Sequence, residues 1–246
     1  MSATCSVIIP ARNDAEALAR TLDHVSHLAP PTTEIVVAAA GPRADVERAV
    51  RGRARVIWPE GSTRARLMNA GAAVASGEIF FFLHADSFPP PNAFALIAAA
   101  LAGPRTVGGA FEHQFTESGW SLRAITRINR VRYRLTRNYY GDQGIFVRAS
   151  VFHRLNGYPD VGLLEDLVFS QRLRRLGHYI LVRTPLLTSG RRFLARGPWR
   201  TFFFIVWLLF LHTLRVDTQR YAARWRGPVD LIPGSPWPPG RVPNEG

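Results

Sequence analysis

The chain has 246 residues, a single cysteine and no lysine. One cysteine, Cys5, excludes a disulfide framework and a cysteine-rich zinc cluster. Its place in an apolar run fits a small core residue in a reducing compartment. With lysine missing, the 31 basic residues are all arginine, against 18 acids, for a formal charge of +13. That usage reflects either a GC-rich coding sequence or selection for bidentate phosphate contacts. The charge itself points to an anionic partner, a nucleotide or a membrane surface. No basic motif with interleaved stacking aromatics is present, so nucleic acid is not expected as a partner. The greasiest stretch, residues 202–211, is ten residues long. As a helix it covers about 15 Å, about half of a bilayer's hydrocarbon core, so a single span is not expected. The N-terminus enters a strand-like run at Ser6 and leaves no room for a signal peptide. The expected location is therefore the cytoplasmic side of the cell membrane, peripheral or monotopic.

An apolar content of 47% supports a substantial core, and the length suits one large domain or a domain with an appendage. Strand-like runs at residues 7–10, 34–38, 56–58 and 79–83 alternate with helical patterns at 15–28, 43–51 and 64–75. A polar loop, 11–14, follows the first strand. This alternation predicts an α/β fold with a mostly parallel sheet flanked by helices. Beyond Pro89-Pro90-Pro91 the pattern predicts a helix at 93–101, a glycine-bent strand at 107–115 and a strand at 145–147. Glu165-Asp166 then opens a helix that Gly177 ends.

The segment from Arg64 to Asp86, RARLMNAGAAVASGEIFFFLHAD, carries the chemistry. Its apolar strand ends in one carboxylate, Asp86, at the position where open α/β sheets place ligands. Basic residues just upstream offer counter-charge for a phosphorylated ligand, and together these features suit a metal-bound nucleoside diphosphate. Each has a plainer explanation too. Arg64 can be a solvated helix-start residue, His84 a hydrogen-bonded structural histidine, and Glu165-Asp166 a favourable charge on a helix dipole. Gly141 and Gly144 can serve only a turn.

Two later segments are amphiphilic. In residues 120–137, Trp120, Ala124, Ile128, Val131 and Leu135 share one helical face, and Arg123, Arg127, Arg130, Arg134 and Arg137 form a stripe about 100° away. Such a helix either lies on an anionic membrane or turns a solvated charged face outward from a core. Trp199, Arg200 and Arg215 flank the apolar run 202–211 as interfacial anchors do.

In order and content, SVIIPARND, RARLMNAGAAVASGEIFFFLHAD, YGDQGIFVR, LLEDLVFSQRLRRLG and TSGRR resemble family 2 glycosyltransferases, inverting enzymes with the GT-A fold, over about residues 5–192. The chain is most similar to the bacterial subgroup whose variant metal motif is Leu-His-Ala-Asp, labelled for arsenosugar biosynthesis. The resemblance implies a nucleotide pocket lined by Pro10, Ala11, Arg12 and Asp14, with Arg66 and Asn69 near the nucleotide. It makes Asp86 the metal ligand, with His84 in place of the first acid of the Asp-x-Asp motif. It makes Asp166 the general base, with Glu165 beside it. Gly141, Asp142 and Gln143 belong to an acceptor-side loop, and Arg191 and Arg192 grip the diphosphate.

One position departs from the pattern. Where the family has Val-Asp-Gly-Gly-Ser or a close variant, this chain has Ala38-Ala39-Ala40-Gly41-Pro42, so the acid that contacts the base is missing.

The implied activity is sugar transfer from a nucleoside-diphosphate sugar to a hydroxyl, with manganese or magnesium on the diphosphate and a lipid or membrane-bound acceptor. The implied division is a catalytic domain at 1–192, a membrane-associating helical segment at 193–226 and an irregular Pro- and Gly-rich tail at 227–246. Two other readings stay open. One is a sugar-phosphate nucleotidyltransferase. The other is a non-catalytic basic membrane-binding protein on a decayed transferase fold.

Overall fold

The computed structural model describes residues 3–222; the tail expected at 227–246 lies outside the described residues. Two compact units are present. The first is built from the chain up to Gln114 together with Asn129–Thr188, the second from Phe115–Ile128 and the chain from Ser189.

The first unit opens with the expected alternation: β1 (Cys5–Arg12), α1 (Ala15–Leu28), β2 (Glu34–Ala40), α2 (Arg43–Val50), β3 (Arg55–Ile57), α3 (Arg64–Val74) and β4 (Ile79–Phe82). The chain continues with β5 (Ser87–Phe88), α4 (Ala93–Leu101), β6 (Thr106–Phe115), α5 (Trp120–Thr136), whose first half belongs to the second unit, β7 (Ile145–Arg148), α6 (Ala149–Arg154), α7 (Glu165–Leu176) and β8 (His178–Thr188). The strands form one sheet in the order β3-β2-β1-β4-β7-β6-β8-β5. β3, β2, β1 and β4 run parallel, whereas β4–β7, β6–β7 and β5–β8 are antiparallel.

Side chains alternate across this sheet and build a core on each face. Val7, Ile9 and Phe81 pack with Leu18, Leu22 and Val25 of α1. Ile8, Phe80 and Phe82 point the other way, into a cluster with Met68, Phe152, Tyr158 and Phe169. A sheet covered on both sides needs continuous apolar strands, which is why residues 79–83 read as an unbroken run.

Three local details correct or extend the reading of the sequence. β1 continues past residue 10 to Arg12, so Ala11 and Arg12 are strand residues and not part of a polar loop. They pair with Ala39 and Ala40, small side chains that let two backbones stay in register. Pro10 is tolerated because the register with β4 has already ended at Ile8. β5 is two residues long and carries no periodic signal. The third concerns α5, whose apolar stripe faces outward: Trp120 is 70% exposed and Leu135 79%, with Ile128 and Val131 also exposed. The helix packs inward through Leu122, Ile125 and Tyr133 instead.

In the second unit the start of α5 joins α8 (Arg191–Arg196) and α9 (Pro198–Thr213). Phe115, Leu122 and Ile125 pack with Phe193, Trp199 and Phe202. The Glu117 carboxylate accepts hydrogen bonds from the Ser189 hydroxyl and the Gly190 N–H, which ties the two chain segments of the unit together. Among the described residues, no helix is long and apolar enough to cross a membrane.

Candidate active site

The site is assembled at the start of α3. Thr63 caps this helix, its hydroxyl accepting from the Arg66 N–H at 3.3 Å. Gly71 then allows the helix to press onto β1, because a Cβ there would lie 2.5 Å from a methyl of Ile8. A helix that follows a parallel strand begins at the strands' carboxyl edge, which is where α3 presents its first residues. Arg64 leads that turn. Its guanidinium stands 3.4 Å from both the Glu165 and the Asp166 carboxylates, with 35% of the side chain exposed.

Those acids open α7. Leu164, in the left-handed region at φ 65°, turns the chain into the helix. Glu165 is 4% exposed and Asp166 6%, far more buried than capping residues need to be. Asp166 Oδ2 accepts from the Gly141 N–H at 2.9 Å and faces Arg64. Its Oδ1 is buried with no hydrogen-bond partner. Burial first, and then the neighbouring Glu165 carboxylate, push Asp166 up to about 7, against the opposing pull of Arg64 and the Gly141 N–H.

Gly141 begins a tight 3-10 turn, Gly141–Gln143. A Cβ on it would sit 2.3 Å from His84 Nε2 and 2.7 Å from Asp166 Oδ2. His84, from the turn after β4, and Asp166, from α7, therefore meet over a position only glycine can occupy. Asp86 lies two residues past His84 in the same turn, which the Ser87 N–H closes onto the His84 carbonyl at 3.2 Å. Arg64 records how close these acids are. Burial works against its charge, yet it is held above the ordinary arginine range by Glu165 and Asp166, then by Asp86 and Asp142. Glu165 and Asp166 are its ion-pair partners, and Asp86 and Asp142 add a weaker field.

A divalent cation fits this donor set in a limited way. No group of three His, Cys, Asp or Glu side chains suited to a metal occurs among the described residues. Asp86 supplies one hard oxygen donor. That suits magnesium or manganese ions whose remaining positions belong to phosphate oxygens and water.

The other sequence-predicted residues divide into several environments. Pro10, Ala11 and Arg12 lie at the end of β1, with Ala11 buried and Arg12 exposed. Asp14 caps α1, its Oδ1 accepting from the Ala17 N–H at 3.2 Å. Both ends of the Asn69 amide are engaged by the Tyr158 backbone, at 2.9 and 2.8 Å, so Asn69 pins the loop that leads to α7. Gln143 is fully buried, donating to the Phe111 carbonyl and accepting from the Tyr140 N–H. Asp142 keeps part of its side chain exposed, 3.7 Å from His113. Arg66 points to Asp160 at the surface, 2.8 Å away. Arg191 and Arg192 open α8 in the second unit. The acid-free segment at 38–40 is regular strand.

Sequence reasoning missed several groups. Chief among them is Arg64, which stands with Glu165 and Asp166. The helical start at Arg64 was visible, but its partners lie a hundred residues downstream. An open groove of about 420 Å³ lies elsewhere, lined by Arg20, Asp23, His24, His27, Leu28 and Phe88, and contains none of these acids.

The sequence model described as glycosyl transferase family 2 matches residues 6–154, about three fifths of the chain. No curated protein matches the chain. Among solved structures, the fold is similar to a mannosyltransferase from Pyrobaculum calidifontis in complex with GDP-Man and Mn2+ (TM-score 0.64, 19% identity, 91% of this chain and 67% of that one). It is also similar to glucosyl-3-phosphoglycerate synthase from Mycobacterium tuberculosis in complex with Mn2+, UDP and glucosyl-3-phosphoglycerate (TM-score 0.53, 18% identity, 74% and 70%). A third is mannosyl-3-phosphoglycerate synthase from Rubrobacter xylanophilus (TM-score 0.57, 16% identity, 88% and 76%). At such identities the likeness concerns the fold, the mixed α/β arrangement of GT-A proteins.

Proposed function

The chain belongs to glycosyl transferase family 2, and we propose that it moves a sugar from a nucleoside-diphosphate sugar to an acceptor hydroxyl with inversion at the sugar carbon. The observation that carries this reading is the grouping around Arg64. Glu165 and Asp166, at the start of α7, lie 3.4 Å from the same half-buried guanidinium, and at Gly141 the turn that carries His84 and Asp86 meets the Asp166 carboxylate.

In this reading Asp166 takes the proton of the attacking hydroxyl. A general base works best with a pKa near the operating pH, and burial beside Glu165 moves Asp166 toward that range. The Gly141 N–H and Arg64 hold the carboxylate in place. Its Oδ1 is buried with its acceptor capacity unsatisfied, and it is the atom we assign to take the proton. Attack opposite the leaving group inverts the sugar carbon. Asp86, with His84 beside it, would hold magnesium or manganese, which when bound offsets the negative charge that builds on the leaving diphosphate. The manganese and nucleotide-sugar complexes of the similar folds support that assignment. We assign Pro10, Ala11, Arg12, Asp14, Arg66, Arg191 and Arg192 to the nucleotide side and Gly141 and Asp142 to the acceptor side, with Asn69 and Gln143 holding the neighbouring backbone on each side in place.

The Leu83-His84-Ala85-Asp86 sequence supports placement in the bacterial subgroup labelled for arsenosugar biosynthesis. We take the acceptor to be lipid-linked or membrane-bound, handled at the cytoplasmic face of the membrane. Residues 1–192 then form the catalytic domain and 193–226 the membrane-associating segment.

The loop Ile9-Pro10-Ala11-Arg12-Asn13-Asp14 lacks the glycine-rich basic character a nucleotidyltransferase needs after its first strand. The acid missing at Ala39 favours a non-catalytic binder, whereas retention of Asp86 and Asp166 opposes it. Incubation of the full chain with a panel of UDP- and GDP-sugars, Mn2+ and membrane extract tests the proposal. Release of nucleoside diphosphate that is lost in Asp86→Asn supports transfer. Pyrophosphate release from a nucleoside triphosphate and a sugar phosphate supports nucleotidyl transfer, and no turnover with any donor favours the binder.

A further inference from the structure

We infer that the outward face of the second unit is a docking surface for an anionic lipid bilayer, seated at headgroup depth and not spanning it. The inference rests on the membrane-surface part of the reading above and is independent of the transfer chemistry.

The surface begins on α9. Phe203, Val206, Trp207, Phe210 and Leu214 follow the i, i+3, i+4, i+7, i+11 spacing of one helical face, and all five are exposed, Phe203 at 62% and Phe210 at 59%. Thr201 and Leu208 face inward. The helix is therefore apolar on its wet side, the reverse of a helix that merely covers a core. The patch extends to α5 through aromatic contacts. Trp199 stacks near Trp120 at 5.9 Å between ring centroids and near Phe203 at 6.1 Å. Trp120 and Ile128 carry it along the exposed side of that helix. Exposed apolar residues that adjoin one another in this way mark interaction sites.

Charge selects the occupant. The described residues of this unit hold eight arginines against two acids, Glu117 and Asp217. Glu117 is already engaged by Ser189 and Gly190. Two copies facing each other would set like charges together, whereas anionic headgroups complement them. Arg123 and Arg127 are exposed on the same stretch of α5 as Trp120. Farther along that helix, Arg130 and Arg134 are tied to buried Glu112 at 3.2 Å, so the early arginines are the ones open to lipid. Aromatic rings beside arginines, on helices too short to span, match an interfacial seat.

The test uses the full chain with sedimenting vesicles of phosphatidylcholine alone or with phosphatidylserine. The wild type is expected to co-sediment with the anionic vesicles, less so with rising salt, and weakly with the neutral ones. Trp120→Ser/Phe203→Ser/Phe210→Ser should lower vesicle affinity by at least about tenfold, since each ring removes buried apolar area. Its thermal stabilisation by a nucleotide sugar and Mn2+ should match the wild type's. Arg123→Glu/Arg127→Glu should abolish the preference for anionic vesicles, and this variant decides the matter if the triple variant fails to fold. Wild-type binding unchanged in both variants overturns the surface while leaving membrane association standing. Absence of wild-type binding to either vesicle overturns both and leaves the transfer chemistry untouched. Self-association of the wild type without lipid, lost in the triple variant, assigns the face to a second copy and overturns the inference.

Discussion

Arg64 and Arg66 stand two residues apart in the first turn of α3, and each faces acid, but the resemblance ends there. Arg66 meets Asp160 at 2.8 Å with both side chains about half exposed. Arg64 meets Glu165 and Asp166 at 3.4 Å, a longer contact, with both acids almost wholly buried. Distance alone would rank the outer pair first. Dielectric reverses the order, because water screens the outer pair and cannot reach the inner acids. The inner cluster also carries an excess of negative charge, so its single guanidinium has no substitute. Contact length is a poor guide to which arginine matters; the solvation of its partners is a better one.

The largest effect is expected at Asp166. Asp166→Asn should lower the transfer rate by about 10²–10⁴-fold, the usual contribution of a general base, with donor affinity little changed. The wild-type rate should rise with pH along a limb inflecting near 7, the value burial and Glu165 impose on this carboxyl. Stability should move the other way. Because the folded-state value is raised from 3.8 to about 7, the folded protein holds this proton more tightly than the unfolded chain. Its contribution is therefore full below about pH 4 and lost as pH rises through 7. Melting curves of the wild type and Asp166→Asn should diverge over that window, with the variant relatively more stable at the upper end. A constant difference would mean that the carboxyl ionises in the folded protein as it does in water.

Arg64→Ala comes next. It leaves two buried carboxylates with no facing cation and should cost about 3 kcal/mol in urea unfolding. That is the low end for breaking a buried pair, since a third of the arginine reaches water. The same change should raise the pH at which transfer begins, because the pull that holds Asp166 ionised is gone. Equal destabilisation by Arg64→Ala and Arg66→Ala would break the comparison.

Much of the fold was legible from the chain. Residues 5–83 announce themselves because β1, β2 and β4 are largely buried on both faces and each helix has proline, glycine or a cap at its ends. Asp86 was marked by its place after an apolar strand, and Glu165-Asp166 by opening a helix. Less visible were features that depend on residues distant in sequence. The sheet reverses where β4 meets β7, sixty residues apart, and no local pattern signals the change. α5 was read as apolar along one stripe, yet Leu122, Ile125 and Tyr133 do the packing, because the choice of inner face depends on what lies beneath the helix. Asn69 and Gln143 look like ligand-binding amides in sequence, and only the fold reveals that backbone groups already occupy them.

The smallest expected effect is at Arg66, and it sharpens the contrast through its sign. A hydrogen bond from Arg66 first, and then its charge, hold the Asp160 carboxyl below the ordinary range despite the slight cost of burial. A lowered acid stabilises the fold above its unfolded value of 3.8 and loses that contribution as pH falls below it, the opposite of Asp166. Because both partners are bathed in solvent, Arg66→Ala should shift the melting temperature by little more than the error of the measurement at neutral pH and moderate salt. Even that shift should fade as acid protonates Asp160. A substantial neutral-pH loss that persists in high salt would show Arg66 buttressing the loop at Asp160 by packing, and the distinction between the two arginines would then rest on their partners' chemistry and not on solvation.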